Sequence, residues 1–322
     1  MTTEEYFKNL SSKLELTVAE QDRISKKHNF LREKLREKLT VEDDFLTGSY
    51  DRNTMIRPKG EDKFDVDFFL AFNKDDYGET ELPDLLKIVK DALDKIKNDD
   101  KDIVEINDRQ KSSVGVIYND NFQIDVVPAI QIEKDKRYKI FDKRTQKAVE
   151  SNPKLHGQNL TTANEATESG SVRRLVPIVK LLKSWRREKC DYVKSFHLEM
   201  LTVEILKDQE IKAFSEGIAK FFTNAQHYLE IPSLVDPANE DNVIDEYLDD
   251  DGRRDDIIEL ISVEKNIAER AIKLEQEGED ENAVKEWQKI FEGKDEESKN
   301  FSGFPIRTGP AIIKNPPKPW CF

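Results

Sequence analysis

Gly48-Ser49-Tyr50-Asp51-Arg52-Asn53-Thr54, followed by Phe64-Asp65-Val66-Asp67-Phe68-Phe69-Leu70, is the stretch that decides how this chain folds. Side chains on a β-strand alternate between faces, so Asp65 and Asp67 project together while Phe64, Val66 and Phe68 point to the opposite, buried side. One strand can thus present two carboxylates to one ion. A second alternating segment, Phe122-Gln123-Ile124-Asp125-Val126-Val127-Pro128, places Phe122, Ile124 and Val126 on a core face and Gln123, Asp125 and Val127 on the other. If the two strands are neighbours, three carboxylates converge.

That convergence points to metal-dependent phosphoryl chemistry. Magnesium prefers hard oxygen ligands in octahedral geometry and keeps waters and substrate phosphates among them. With two such ions, one activates an attacking hydroxyl while the other holds a triphosphate and offsets charge on the departing pyrophosphate. The Asp-x-Asp pattern alone is weak in a chain whose residues are 37% charged. It recurs at Asp100/Asp102 and Asp249/Asp251, inside acidic runs that read as solvated loops. Only Asp65/Asp67 sits among apolar β-forming residues, with a glycine-serine pair upstream. Gly48-Ser49 follows Phe45-Leu46 and precedes a short helix. By itself such a pair is often a turn or a helix cap. Beside carboxylates it gains meaning, because glycine lets the backbone approach a phosphate and a hydroxyl at a helix start favours an anion.

Together with Leu181-Leu182-Lys183-Ser184-Trp185 and Ser195-Phe196-His197-Leu198-Glu199-Met200-Leu201-Thr202-Val203-Glu204, these residues resemble the family that contains cyclic GMP–AMP synthase, oligoadenylate synthetase and the bacterial CD-NTases. The bacterial members are the nearest in overall look, and by motif the similarity covers about residues 40 to 205. The resemblance implies an α+β fold: a DNA polymerase β-like nucleotidyltransferase core of mixed sheet and helices, a C-terminal helical domain, and a long N-terminal helix bridging the two lobes. It implies that Asp65, Asp67 and Asp125 are the catalytic, metal-binding aspartates, holding two magnesium ions with manganese as a substitute. Gly48 and Ser49 match the family's phosphate-binding pair. Lys183 matches a lysine on the first long helix of the second domain that reaches the triphosphate, and Ser195 a polar residue opening the next helix. One departure is a longer gap between Ser49 and Asp65, with Arg57-Pro58-Lys59-Gly60-Glu61-Asp62-Lys63 as an extra hairpin; it leaves the roles of Arg52, Thr54 and Arg57 open.

Without the family, the helical residues read more plainly. Val172, Leu175, Val176, Val179 and Leu182 form an apolar stripe at helical spacing, and Lys180, Lys183 and Arg187 lie on adjoining turns, where basic residues are usually solvated. Pro177 should mark the first turn of that helix or kink it. Ser195 reads equally as a helix cap, and His197 as a packed or capping histidine rather than a catalyst.

Composition bounds the rest. The chain has 322 residues, room for two lobes around a cleft. No window has the apolar length needed to cross a bilayer, and Met1-Thr2-Thr3-Glu4-Glu5-Tyr6 lacks the basic and apolar regions of a signal peptide, so a cytoplasmic location without membrane contact is expected. The two cysteines, Cys190 and Cys321, supply neither a disulfide framework nor a zinc site. With 66 acidic against 52 basic residues the formal net charge is −14. Gripping a duplex requires clustered lysine and arginine to displace counterions, so no double-stranded nucleic acid activator is expected.

Along the chain, helical periodicity over about 12 to 39 predicts one long helix. A strand-rich core over about 41 to 148 includes a helix near Asp84 to Lys97 and a hairpin turning at Asn119-Asp120-Asn121. Residues 149 to 170 are polar and read as the interlobe connection. From 171 the pattern is helical, interrupted near Asp236 to Asp256, with an amphipathic helix from Asp255 to Leu274 and a shorter one that places Trp287 and Phe291 on one face. Three units follow: 1–160, bridging helix and catalytic core; 161–300, helical domain; 301–322, an extended proline-rich tail.

The expected activity is that of a nucleotidyltransferase which joins and cyclises ribonucleoside triphosphates into a cyclic di- or trinucleotide, releasing pyrophosphate. The resemblance implies a role in antiphage (CBASS) signalling through a product-activated effector protein, with the synthase itself a monomer. Linear oligonucleotide synthesis, or nucleotide transfer to tRNA or protein, would use the same carboxylates. A non-catalytic nucleotide-binding protein would not need them.

Overall fold

The computed structural model describes residues 1–293 apart from 61, 78–79, 135, 231–233 and 251. The proline-rich tail lies outside the described residues.

The N-terminal region forms two helices rather than one, α1 (Thr3–Leu14) and α2 (Val18–Lys38). The break falls where Thr17 and Glu20 build a capping box: the Thr17 hydroxyl accepts the Glu20 amide at 3.3 Å and the Glu20 carboxylate accepts the Thr17 amide at 2.7 Å. Periodicity alone reads across this turn because both helices are amphipathic. Their apolar faces go to different places: Tyr6, Phe7 and Leu14 of α1 join a helical core, and Ile24, Leu31 and Leu35 of α2 join the core beneath the sheet. The bridge between lobes is therefore an articulated pair.

After β1 (Asp43–Thr47) and the single turn α3 (Gly48–Asp51) comes β2 (Phe64–Phe72). The expected extra hairpin is absent among the described residues of 57–63, which run as a loop. The loop is held from the helical side instead, by the Arg187 guanidinium donating to the Arg57 carbonyl at 3.0 Å and by a Lys59–Glu188 ion pair. A short turn, α4 (Lys74–Tyr77), leads to α5 (Leu82–Lys97), the helix foreseen from its apolar face. Then follow β3 (Ile103–Asn107), β4 (Val114–Tyr118) and β5 (Phe122–Glu133), the β4–β5 turn lying at Asn119-Asp120-Asn121 as expected, with Asn121 left-handed at φ 58°. β6 (Arg137–Asp142) and β7 (Lys147–Ser151) complete the sheet.

Strand order is β1-β2-β5-β4-β3, with β6 on β5 and β7 on β6. Among the described residues, only the β2–β5 pair of this sheet is parallel; the other pairs are antiparallel. A parallel neighbour requires a crossover. Here α5 and the β3–β4 hairpin supply it. Phe64, Val66, Phe68, Leu70 and Phe72 face α2 and α5, whereas Phe69 and Ala71 meet Val127, Ala129, Tyr138 and Ile140 on the other face. The face that carries Asp65 and Asp67 is thus apolar at its far end and carboxylate-bearing only at its start.

The polar segment read as a connection is instead a helix, α6 (Pro153–Ala166). It begins with a proline at its first position, and the Asn152 side chain accepts the Leu155 amide at 3.2 Å. α7 (Leu175–Lys189) has Pro177 in its first turn, where no helical hydrogen bond is lost. Val172 falls outside that helix and is exposed, so the apolar stripe starts at Leu175. α8 (Ser195–Leu206), α9 (Phe214–Leu229), the hairpin β8 (Val235–Asp236) and β9 (Asn239–Val243), α10 (Tyr247–Asp250), α11 (Arg253–Gln276) and α12 (Asp280–Glu292) follow. Trp185, Phe221, Phe222, Trp287 and Phe291 fill the second core. Phe7 meets Trp287 and Phe291 edge-on at 5.2 and 5.7 Å, which seats α1 in it.

Among the described residues no helix is long and apolar enough to cross a membrane.

Candidate active site

The parallel register of β2 and β5 sets Asp67 directly beside Asp125, with Asp65 beside Gln123. Directly paired residues share a face, so Asp65, Asp67 and Asp125 project from one side of two adjacent strands. Asp67 is 1% exposed and Asp125 fully buried, while Asp65 is partly open to solvent. The other face of both strands is apolar, so a one-residue slip of either strand would drive its carboxylates into the core. Register is therefore enforced by the hydrophobic side of the same strands.

Gly48 closes the site from β1. Its φ is +71°, a conformation that favours glycine, and a Cβ there would stand 1.8 Å from Oδ2 of Asp67. The turn that follows folds back on Ser49, whose carbonyl accepts the amides of Thr54 and Met55, each at 2.8 Å. On the opposite side, Asp125 is held by two carboxamides, Gln123 Nε2 donating to Oδ1 at 2.9 Å and Gln110 Nε2 to Oδ2 at 3.3 Å. Gly115, paired with Asp125 across β4–β5, leaves room for that carboxylate: a Cβ there would lie 3.1 Å from its Oδ1. Lys143 donates to the carbonyls of Asp108 and Ser113 and so pins the loop that carries Gln110.

The donor set suits a hard divalent cation: carboxylate oxygens, two of them withdrawn from bulk water, on strands that the sheet holds rigidly. Among the described residues no three acidic, histidine or cysteine side chains already surround a common point.

Lys183 lies at the junction of the two cores, 3% exposed. Its ammonium donates to Thr54 Oγ1 at 2.8 Å, to the Thr54 carbonyl at 3.1 Å and to Glu199 Oε2 at 2.6 Å. Glu199 also accepts Arg52 Nε at 2.5 Å and the Thr54 hydroxyl at 2.7 Å. The Arg52 guanidinium lies over the Phe196 ring, 5.2 Å from its centre. Burial, opposed by Glu199 and assisted by Arg52, brings the Lys183 ammonium down to about 8. Burial works the other way on Glu199, yet Arg52 and Lys183 outweigh it and hold that carboxyl well below its usual range. Asp67 adds to the acidic field that keeps Arg52 charged. Lys180 is buried as well, bound to both Glu15 oxygens at 2.8 and 2.7 Å and to Asn53 at 3.2 Å. Neither lysine is a solvated helix-face residue.

Ser195 is the first residue of α8 rather than its cap, which is Lys194, and it immediately precedes the phenylalanine beneath Arg52. His197 is packed: burial pulls its imidazole down to about 3, and its Nδ1 lies 2.9 Å from the Tyr247 hydroxyl. Arg57 pairs with Glu20 at 2.9 Å, away from the carboxylates. A cavity of about 340 Å³ lies against the α1–α2 turn, lined by Glu15, Leu16, Tyr50, Asn53, Met55 and Lys180; the three aspartates are not among its walls.

Sequence reasoning left Arg52 and Thr54 open and passed over Glu199, Gln110 and Gln123. Glu199 had a readable signal, a carboxylate within Leu198-Glu199-Met200-Leu201 that is buried on every side unless partnered. Gln110 had none, since its place beside Asp125 depends on how the β3–β4 loop folds.

The architecture resembles solved structures at low identity. The Vibrio cholerae cyclic AMP-GMP synthase DncV is 15% identical, with a TM-score of 0.70 over 90% of this chain and 96% of that one. CdnC of E. coli, solved in complex with a HORMA protein, is 18% identical with a TM-score of 0.68 over 90% and 97%. A curated relative, the cyclic AMP-AMP-AMP synthase of an Acinetobacter species, is 31% identical over 216 residues, 63% of this chain and 59% of that protein. The chain thus matches about three fifths of that relative's length. A family model described as the Second Messenger Oligonucleotide or Dinucleotide Synthetase domain matches residues 1–164, just over half of the 322 residues, and the chain belongs to that family.

Proposed function

We propose that this protein is a metal-dependent nucleotidyltransferase that joins ribonucleoside triphosphates, by attack of a ribose hydroxyl on an α-phosphate, and closes the product into a cyclic di- or trinucleotide. The observation that carries the reading is the register of Asp67 against Asp125 with Asp65 on the same face, because three carboxylates on a rigid sheet match what phosphoryl transfer requires. Asp65, Asp67 and Asp125 are the residues that would hold two magnesium ions, with manganese able to replace them. When bound, the ions would lower the barrier to hydroxyl attack and offset charge on the pyrophosphate. Gly48 lies against Asp67, and with Ser49 it would offer backbone that a phosphate can approach closely. Ser195, the first residue of α8 and next to the phenylalanine beneath Arg52, would reach the triphosphate from the helical side. The lobes we assign are 1–160 and 161–300.

Ribonucleoside triphosphates are the substrates in this reading, and a separate product-activated effector is the partner through which an antiphage signal would act. The relatives make different products, cyclic AMP-GMP in one and cyclic AMP-AMP-AMP in another, so both ring sizes are within reach of this architecture.

The test gives purified full-length protein each labelled triphosphate and all four together, with magnesium. A phosphatase-resistant product, its composition read by mass spectrometry and lost in Asp65→Ala and Asp67→Ala, is the expected result. Phosphatase-sensitive product would indicate linear synthesis. No nucleotide-dependent product, with both variants indistinguishable from the wild type, would defeat the proposal.

A further inference from the structure

Direct pairing across four strands sets Thr47, Asp67, Asp125 and Gly115 in one row, on β1, β2, β5 and β4. Three strand spacings make that row about 14 Å long. The Gly48–Ser49 turn adjoins its β1 end, against Asp67, and the β3–β4 loop that carries Gln110 adjoins its β4 end, against Asp125. In phosphoryl transfer the attacking and leaving oxygens lie roughly in line, on opposite sides of the phosphorus. With the donor triphosphate at the Gly48 end, as proposed above, the ribose that attacks it stands toward Asp125 and Gln110.

Gln110 meets Asp125 with one half of its carboxamide. An ionised carboxylate only accepts hydrogen bonds, so the amide nitrogen faces it, at 3.3 Å, and Oε1 is left for another partner. That oxygen is buried and has no donor among the described residues. A buried acceptor without a donor is unfavourable, which makes Oε1 a candidate to receive one from a bound substrate. The loop around it is tied on both sides. Lys111 pairs with Asp142 at 3.0 Å, the Lys143 amide donates to the Lys111 carbonyl at 2.9 Å, and the Lys143 ammonium donates to the carbonyls of Asp108 and Ser113.

We infer that Gln110 is a specificity-determining residue for the acceptor nucleotide: its Nε2 holds Asp125 while its Oε1 accepts a hydrogen bond from the ribose hydroxyl that does not react, and this selects which hydroxyl of the diol forms the new bond. The inference rests on the reaction proposed above, in which the reacting hydroxyl bonds to the α-phosphorus, the bond to pyrophosphate breaks and the hydroxyl proton passes to solvent. The two hydroxyls of a ribose are on adjacent carbons, so a group beside Asp125 can read one while the other faces the carboxylates. A site built to hydrogen-bond a substrate hydroxyl strongly rejects the analogue that lacks it.

The experiment uses the full chain with magnesium, labelled ATP as donor, and α,β-methylene ATP as acceptor in its ribose, 2′-deoxy and 3′-deoxy forms. The methylene bridge blocks pyrophosphate release, so these analogues accept a nucleotide but do not donate one. Mass spectrometry identifies the mixed products, and nuclease P1, which cuts 3′–5′ and not 2′–5′ bonds, reads the linkage. We expect the wild type to form one linkage and to prefer the ribose acceptor by about 30-fold over the deoxy form that keeps the reacting hydroxyl, and Gln110→Ala to lower that preference to about threefold and to form both linkages. Gln123→Ala, which frees Asp125 from its other amide but keeps Gln110, should retain the preference. Equilibrium binding of the three analogues, which needs no turnover, should show the preference in the wild type and its loss in Gln110→Ala. The inference is overturned if Gln110→Ala keeps the wild-type linkage and preference, or if Gln123→Ala loses the preference equally, since the placement of Asp125 would then account for it. A wild-type chain that forms no product defeats the proposed reaction; the binding comparison then decides the inference alone, and equal preference in wild type and Gln110→Ala overturns it.

Discussion

The α-carbon of Gly48 sits so close to the carboxylate of Asp67 that one added methyl group would stand 1.8 Å from Oδ2. The Gly48–Ser49 turn and the Asp67 carboxylate are thus packed directly against each other.

Gly48→Ala should therefore act on chemistry before it acts on fold. The substitution combines a φ of +71° with a clash against a side chain that can rotate, so we predict a stability loss of about 1–3 kcal/mol but a loss of activity of about 100-fold or more. Thermal melting and product formation, compared in one preparation, check it. Activity falling no further than the folded fraction would contradict the packing argument.

Gln123 is predicted to govern ion affinity. Its amide orients Asp125 from 2.9 Å, and groups that orient metal ligands typically carry 10–100-fold in affinity. Gln123→Ala should raise the magnesium concentration for half-maximal activity by about tenfold, with kcat at saturating magnesium changed much less. A magnesium titration of both proteins decides the matter, and superimposable curves would exclude this role.

The Lys183 ammonium, at about 8 in the folded protein against an ordinary 10.5, predicts opposite pH trends for activity and stability. Between these values the unfolded chain binds the proton that the folded one has released, so this group's contribution to stability rises with pH in that window. Activity should fall in the same window, because the cluster around Glu199 loses a charged donor. A pH–rate profile with its alkaline limb near 8, flattened in Lys183→Met, is the expected outcome.

Glu264 offers a stability switch remote from the carboxylate site. Burial raises its carboxyl from 4.5 to about 7, although Lys189 lies 3.7 Å away and the Trp185 indole donates to it at 3.3 Å. A carboxyl raised on folding opposes folding once ionised, so this contribution declines as pH rises from 4.5 through 7. Glu264→Gln should stabilise the protein at pH 8 by up to about 3 kcal/mol and confer almost nothing at pH 4.5. Denaturant melts at both values measure the difference, and an equal effect at the two would contradict the assignment.

Periodicity was enough to locate the carboxylate strands, the Asn119–Asn121 turn, α5 and the last two amphipathic helices, because each is a local pattern with one face to bury. It failed where short-range signals compete. The Thr17–Glu20 capping box interrupts a stripe that otherwise reads as one helix, and α6 is polar enough to pass for a connection because much of its surface stays in solvent.

By itself, the sequence determined where the carboxylates stand on their strands: Asp65 and Asp67 share one strand face, Asp125 projects from another strand, and a glycine lies at the turn beside them. Those are consequences of two-residue alternation and of glycine's missing Cβ. Only the tertiary structure decided that β2 and β5 lie parallel with Asp67 against Asp125, that Gln110 and Gln123 hold the third carboxylate, and that Lys183 is bound within a buried cluster around Glu199. Such relationships join residues far apart in the chain. They depend on which charges are left to compensate one another once two separate cores have excluded water, and no local pattern encodes that.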